Sequence, residues 1–170
     1  MSTQSPTITK RQHRQYIAQA EAAEQTLLAL TPPVMQLIRT AWEESLAAPG
    51  DFAADLYANL FALAPAAAAL FPGDLTEQRQ RLTRTLSDAL VLLETPQQLL
   101  LLLKASGVRH VHYQSAYAHF PILGAALDNT LQQRLNERLA PAQREAWQLL
   151  YATMAAIMCG AMASALLDRA

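Results

Sequence analysis

Apolar residues recur every three or four positions along most of this chain, and prolines separate one such stretch from the next. This spacing places apolar side chains on one side of an α-helix, whereas a strand would show alternation. Proline is tolerated in the first turn of a helix and disrupts its interior, so the nine prolines mark helix starts and connections. We therefore predict an all-α protein built from several separate helices. One of them is traced by Leu75, Leu82, Leu86, Leu90 and Leu93.

Local signals locate some of the helix ends. Thr31 before Pro32 is typical of a capping residue followed by a first-turn proline, and Asp51 is expected to cap the next helix. Gly107 is a stop signal, because local rules place a glycine just beyond the last helical residue. Three arginines of the leucine-rich helix are expected to form its solvated face: Arg79, Arg81 and Arg84.

The length of 170 residues suits one domain with a hydrophobic core and is short for two. Hydrophobic residue types make up 52% of the chain and charged types 16%, which is typical of a well-buried helical protein. We predict a folded domain over residues 31–170, preceded by an extension over residues 1–30. The extension carries a thin apolar stripe, which predicts a peripheral helix: Tyr16, Ile17, Ala20, Ala23, Leu27 and Leu28.

Charge and motif content exclude several classes of function. A net charge of −1 gives no basic surface for a phosphate backbone, so nucleic acid is not expected as a partner. The single cysteine, Cys159, excludes an internal disulfide and a multi-cysteine zinc site. Neither a GxSxG motif nor a glycine-rich phosphate loop is present. The polar N-terminus is unlike a secretory signal, so we expect a cytoplasmic protein.

The segment over residues 146–167 has no charged side chain and is long enough to cross a bilayer as a helix. It contains Gln148, Thr153, Gly160 and many alanines, which transfer weakly into lipid, and no basic cluster flanks it. We expect a buried core helix here rather than a membrane span.

Histidine is the most informative residue type, because the chain has only four: His13, His110, His112 and His119. Residues two apart, such as His110 and His112, lie on different faces of a helix and cannot share one metal ion. Tetrahedral zinc needs three or four ligands, whereas haem iron needs only one from the protein. From the residues alone, His110 is either a buried histidine bonded to a backbone carbonyl or a haem ligand. As a ligand, it would be oriented by a carbonyl or by the Ser106 hydroxyl.

Two neighbouring segments closely resemble the proximal region of bacterial single-domain globins and flavohaemoglobins. These are residues 107–113, GVRHVHY, and residues 119–124, HFPILG. Upstream, residues 56–61 resemble the second helix of that family. Pro65 with Leu70 and Phe71 resembles the turn that contacts the haem, and residues 78–82 resemble the distal helix. Residues 146–151 resemble its last helix. The similarity extends over residues 31–165.

This resemblance implies a globin fold, with six to eight helices around a pocket for haem b and an extra N-terminal helix. It implies that His110 is the proximal iron ligand and that Arg109 and Phe120 also contact the haem. It also implies that Gly107 stays inside the helix that presents His110, against the local rule.

On the opposite side of the haem, the resemblance implies a distal polar pair, Tyr57 and Gln78, with Leu82 and Phe71 as apolar walls. A phenol and an amide in a dry pocket stabilise negative charge on a bound gas molecule. The implied function is binding of dioxygen, and of nitric oxide, at an open iron site.

The chain departs from the flavohaemoglobin pattern at two points on the proximal side. Phe120 stands where that family usually has a tyrosine, and no glutamate follows Glu145. A neutral proximal imidazole is then expected, which weakens electron donation to iron. Nitric oxide dioxygenation is therefore a secondary expectation, and it would need electrons from a separate reductase.

Two alternatives remain open from the sequence. In the first, the globin fold serves as a sensor or interaction module, and residues 1–30 pair with a partner or with a second copy. In the second, the chain is a haem-free helical bundle in which His110 is only packed.

Overall fold

The computed structural model describes residues 8–71, 73–111 and 117–169, and the regular structure within these ranges is helical throughout. This confirms the all-α prediction. His112 and Tyr113 of the proximal motif lie outside the described residues. The α-helices are α1 (Lys10–Leu28), α2 (Pro32–Ala47), α3 (Phe52–Leu63), α4 (Thr76–Val91), α5 (Pro96–His110), α6 (His119–Leu135) and α7 (Pro141–Leu167). Short 3-10 helices occupy Pro65–Leu70, Leu92–Glu94 and Asn136–Arg138.

The two predicted caps have different outcomes. The Asp51 carboxylate accepts hydrogen bonds from the backbone N–H groups of Ala53 at 2.9 Å and Ala54 at 3.3 Å, which confirms that cap. Thr31 is the N-cap residue of α2, as predicted, but its side chain makes no capping hydrogen bond. Pro33 has no N–H group, so Val34 is the only one of the second and third helical residues that could donate to the Thr31 side chain.

Gly107 lies inside α5, so the local rule that placed a helix end there is wrong. The glycine is instead required where α5 crosses α7. A Cβ atom built on Gly107 would lie 2.9 Å from both Met158 Cα and Ala161 Cβ, and closer still to the Met158 carbonyl oxygen. Real Cβ atoms do not approach other heavy atoms so closely, so the two backbones meet only because residue 107 has no side chain.

The last helix, α7, lies at the centre of the bundle and packs against α1, α2, α5 and α6. By length and composition it could cross a membrane. In this structure its apolar residues serve as core, with Leu150, Ile157 and Ala163 almost completely buried. Packing on several sides at once accounts for the lack of charged side chains over residues 146–167.

The first helix, α1, is not peripheral as predicted, because it packs along α7. Leu27 is fully buried, and a Cβ atom on Gly160 of α7 would overlap the Cβ atom of Ala20. Tyr16 stacks on Tyr117, with ring centroids 4.0 Å apart and planes 6° from parallel. Small residues thus let α1 approach α7 closely, which a thin apolar stripe in the sequence does not reveal. The division of the chain at residue 30 stays a prediction.

Arg134 of α6 ties the connection between α2 and α3 to the core. Its side chain is only 2% exposed and forms an ion pair with Asp55, whose side chain is 33% exposed. Its guanidinium also donates to the backbone carbonyls of Ser45, at 2.8 Å, and Ala48, at 2.7 Å, and lies over the Phe52 ring. A buried charge is stable only when paired and hydrogen-bonded, and Arg134 meets both conditions.

Replacing Arg134 with methionine is expected to lower the free energy of unfolding by about 3–5 kcal/mol, because Asp55 and two carbonyls lose their buried partner. Urea denaturation followed by circular dichroism measures this. The control is Arg138→Met, an exposed arginine one turn further along the chain, for which a change below about 0.5 kcal/mol is expected. Equal effects of the two substitutions would contradict the assigned role of Arg134.

Gly107→Ala is expected to destabilise the protein by about 1–3 kcal/mol, the usual cost of overfilling a packed interior. Alanine in a helix interior normally stabilises by about 1 kcal/mol relative to glycine. The sign of the change in the free energy of unfolding therefore tests whether α5 and α7 meet at residue 107. The matched control is Ser106→Ala, which changes the preceding residue without entering the crossing. A Gly107→Ala protein that unfolds at higher urea than wild type would show that α5 and α7 do not meet there.

Candidate functional site

His110 is the last residue of α5 and is partly buried. Its Nδ1 atom lies 2.7 Å from the carbonyl oxygen of Ser106, one turn earlier. A carbonyl oxygen only accepts, so Nδ1 carries the proton and donates, which leaves the lone pair of the neutral ring on Nε2. The carbonyl of Ser106, rather than its hydroxyl, therefore orients the ring. That tautomer is the one needed for a metal ligand that coordinates through Nε2.

Phe120, near the start of α6, is the aromatic neighbour of His110. The two ring centroids are 5.6 Å apart and their planes are inclined by 40°. Phe120 is 8% exposed, and its backbone carbonyl accepts a 2.7 Å hydrogen bond from the hydroxyl of Tyr151 on α7. Burial raises the pKa of Tyr151 well above its ordinary value, so the phenol remains a donor at neutral pH. This bond fixes the start of α6 against α7, beside the histidine.

Arg109 lies on the exposed side of α5, next to His110 in sequence. Its Nη2 atom donates to the Ser106 hydroxyl at 2.8 Å. Ser106 thus bonds both residues, His110 through its carbonyl and Arg109 through its side chain. A haem contact of Arg109 stays a prediction.

Tyr57 of α3 is 2% exposed and lies among aromatic side chains. The rings of Phe61 and Phe71 meet it edge-on, at centroid distances of 5.8 and 5.5 Å. Burial raises the pKa of Tyr57, and a hydrogen bond with the Gln78 side chain and the positive charge of Arg79 oppose that rise. The Gln78 side chain, predicted to form a polar pair with Tyr57, thus lies near enough to the phenol to lower its pKa, and burial keeps the phenol protonated.

Leu82 and Phe71, predicted as apolar walls, both pack against the main hydrophobic core that contains Tyr57. Leu82 follows Gln78 by one turn of α4, so the two side chains lie on the same side of the helix. Phe71 follows the 3-10 helix Pro65–Leu70 and packs on the Tyr57 ring at a steep angle of 83°. Phe71 thus contacts Tyr57 directly, and Leu82 lies on the same helix face as Gln78.

Arg79 follows Gln78 on α4 and is not on the solvated face predicted for it. Arg81 and Arg84 are exposed as predicted, whereas Arg79 is partly buried. Its Nε atom is enclosed and has no hydrogen-bond partner within the described residues. The signal was available in the sequence, because Arg79 falls four residues after Leu75 and three before Leu82, on the apolar stripe.

Other chemistry finds little support. Within the described ranges, no group of three or more histidine, cysteine, aspartate or glutamate side chains could hold a metal ion. Cys159 is buried, and burial raises the pKa of its thiol to about 12, so it is protonated at neutral pH. This agrees with the prediction that Cys159 is an inert packing residue.

Comparison with known proteins identifies the family. A search of curated proteins gives no significant match. The sequence model of the globin family matches residues 54–158, which is more than half of the chain. The matched region begins in α3, ends in α7 and contains Tyr57, Gln78 and His110. The chain therefore belongs to the globin family.

Proposed function

We propose that this globin resembles the flavohaemoglobin-like bacterial type and binds dioxygen and nitric oxide at a haem b held by His110. The observation that carries the proposal is the state of His110, a partly buried imidazole whose Nδ1 is committed to the Ser106 carbonyl. The donor set fits haem, which requires one nitrogen ligand from the protein and otherwise apolar surroundings. The haem would supply an iron atom with an open position for a diatomic gas.

On the proximal side, His110 would ligate the iron through Nε2. The Ser106 carbonyl accepts from the opposite ring nitrogen and fixes the orientation of the ring. A neutral carbonyl polarises the imidazole less than a carboxylate does, and the ring of Phe120 offers no acceptor. Weak electron donation of this kind suits reversible gas binding better than peroxidase-like chemistry.

On the distal side, Tyr57 and Gln78 would contact the gas. The buried phenol keeps its proton and can donate a hydrogen bond, and the side chain of Gln78 holds the phenol in place or donates as well. Phe61 and Phe71 surround the phenol and exclude water from it. Hydrogen bonds to developing charge are stronger in such an environment, so we expect slow release of dioxygen.

Nitric oxide dioxygenation is a secondary part of the proposal, with electrons supplied by a separate reductase in the cytoplasm. It requires the same pocket and a nearby route for electrons. The weakly polarised His110 argues for slow rather than fast turnover.

The alternative role as a sensor or interaction module receives less support from the geometry. The apolar stripe of α1 is used inside the chain, where Ala20, Ala23 and Leu27 are buried. A partner or second copy would therefore have to bind the polar side of α1. That side is better suited to solvent than to a stable helix interface.

The first test compares absorption spectra of purified wild-type and His110→Ala proteins after reduction and addition of carbon monoxide. We expect a Soret band that shifts with carbon monoxide in wild type and is lost or strongly altered in His110→Ala. His13→Ala, on α1 and outside the family match, is the control and should behave as wild type. A wild type that retains no haem after reconstitution would refute the proposal and favour a haem-free bundle.

The second test measures the dissociation rate of dioxygen in Tyr57→Phe. Loss of one hydrogen bond of about 0.5–1.5 kcal/mol is expected to speed release by about 2–12-fold. Carbon monoxide carries little charge and should leave at nearly the wild-type rate. Tyr16→Phe removes a hydroxyl from α1 and is the matched control. Unchanged dioxygen release in Tyr57→Phe would show that the phenol does not face the gas.

A further inference from the structure

A second, smaller hydrophobic core lies beside His110, apart from the main core of the bundle. Its buried members come from the start of α6, the residues just before it and the second half of α7: Tyr117, Phe120, Cys159, Met162 and Ala163. The side chains that pack against it include Tyr16 of α1 and Val111, the residue after His110. This smaller core therefore joins α1, which lies outside the family match, to the residues that follow the histidine.

Tyr117 is held in the smaller core by ring packing. It is 7% exposed, and its hydroxyl is enclosed with no hydrogen-bond partner in the described part of the chain. Burial, together with the nearby Cys159 and Tyr16, raises the pKa of Tyr117 to about 12, so the phenol is uncharged at neutral pH. The Tyr16 ring lies parallel to the Tyr117 ring and covers one of its faces. Removing the Tyr16 ring therefore leaves that face of Tyr117 unpacked.

Tyr117 is linked to His110 through Phe120. The backbone N–H of Phe120 donates to the carbonyl oxygen of Tyr117 at 3.3 Å. The Phe120 ring in turn lies against the His110 ring, and the Phe120 carbonyl is bonded to the Tyr151 hydroxyl. A displacement of Tyr117 therefore reaches the histidine through a single intervening residue.

The first helix also contacts α5 before the histidine. Glu24 of α1 forms an ion pair with Lys104 of α5, with 2.7 Å between Oε1 and Nζ. Lys104 is exposed, and an exposed ion pair contributes little to stability. The stacked ring of Tyr16 is therefore the stronger of these two contacts between α1 and the surroundings of His110.

We propose that Tyr16 is a positioning residue of the proximal site. Its ring holds Tyr117 in place, and Tyr117 holds the Phe120 ring against His110. Phe120 then keeps the imidazole turned so that Nδ1 meets the Ser106 carbonyl and Nε2 is left for a metal. The inference rests on the proposed function where it concerns haem. It goes beyond that function because it makes α1 part of the site.

The first readout is taken on the full chain without haem. Nitrogen NMR shifts of the His110 ring, assigned with His110→Ala, report which ring nitrogen carries the proton at about pH 8, where imidazole is neutral. We expect a single Nδ1–H tautomer in wild type. Tyr16→Leu removes the stacked ring and is expected to shift both nitrogen signals towards an average of the two tautomers. Tyr16→Phe keeps the ring and should match wild type.

The second readout is the iron–histidine stretching band in the resonance Raman spectrum of the reduced, haem-loaded protein. This frequency responds to the hydrogen bonding and orientation of the ligating ring. We expect the band to shift in Tyr16→Leu and to stay at the wild-type position in Tyr16→Phe. The control is Leu27→Ala, which destabilises α1 from within the main core and should leave the His110 signals unchanged.

Tyr117→Leu removes the other ring of the stack and should reproduce the result of Tyr16→Leu if that variant folds poorly. His110 signals equal to wild type in both leucine variants would overturn the proposal. Equal shifts in Leu27→Ala and Tyr16→Leu would also overturn it, because they would show a general loosening of α1. If wild type binds no haem, the proposed function fails, while the NMR comparison still decides whether Tyr16 positions His110.

Discussion

The close approach of α5 to α7 at Gly107 determines where the candidate site can form. Gly107 lies three residues before His110, so the crossing sets the depth and rotation of the helix end that carries the histidine. The carbonyl that orients the His110 ring belongs to Ser106, the residue next to the contact. The absence of a side chain at residue 107 therefore affects which ring nitrogen of His110, one turn away, carries the proton. Hydrogen bonding alone could not place the ring if α5 were free to slide along α7.

The same helix, α7, is approached closely on a second side. Met158 meets α5 and Gly160 meets α1, and residues two apart on a helix point in nearly opposite directions. The helix is therefore enclosed between α1 and α5, with small residues at both contacts. Because α7 is packed on both of these sides, most of its residues are apolar. The same composition is found in helices that cross a membrane. The first helix is thus part of the core of this globin, although it lies outside the family match.

The fold could be predicted from the sequence because helical spacing and prolines are local signals, and Asp51 shows how well a local cap can be predicted. Local rules failed where tertiary packing decides. Gly107 was predicted as a helix end, because its close contact with Met158 of α7 cannot be read from the residues next to it in sequence. Tyr57 and Gln78 lie on two different helices, so only the family resemblance could suggest that they are close.

The central position of α7 also has a consequence for biosynthesis. The helices that rest on it, α1 and α5, are translated earlier, yet each lacks its main packing surface until the segment around Met158 and Gly160 has been made. Contacts between parts of a chain so far apart form late, and apolar faces stay exposed in the meantime. Since the crossing at Gly107 positions His110, the nascent protein cannot assemble the candidate site before its last helix has emerged.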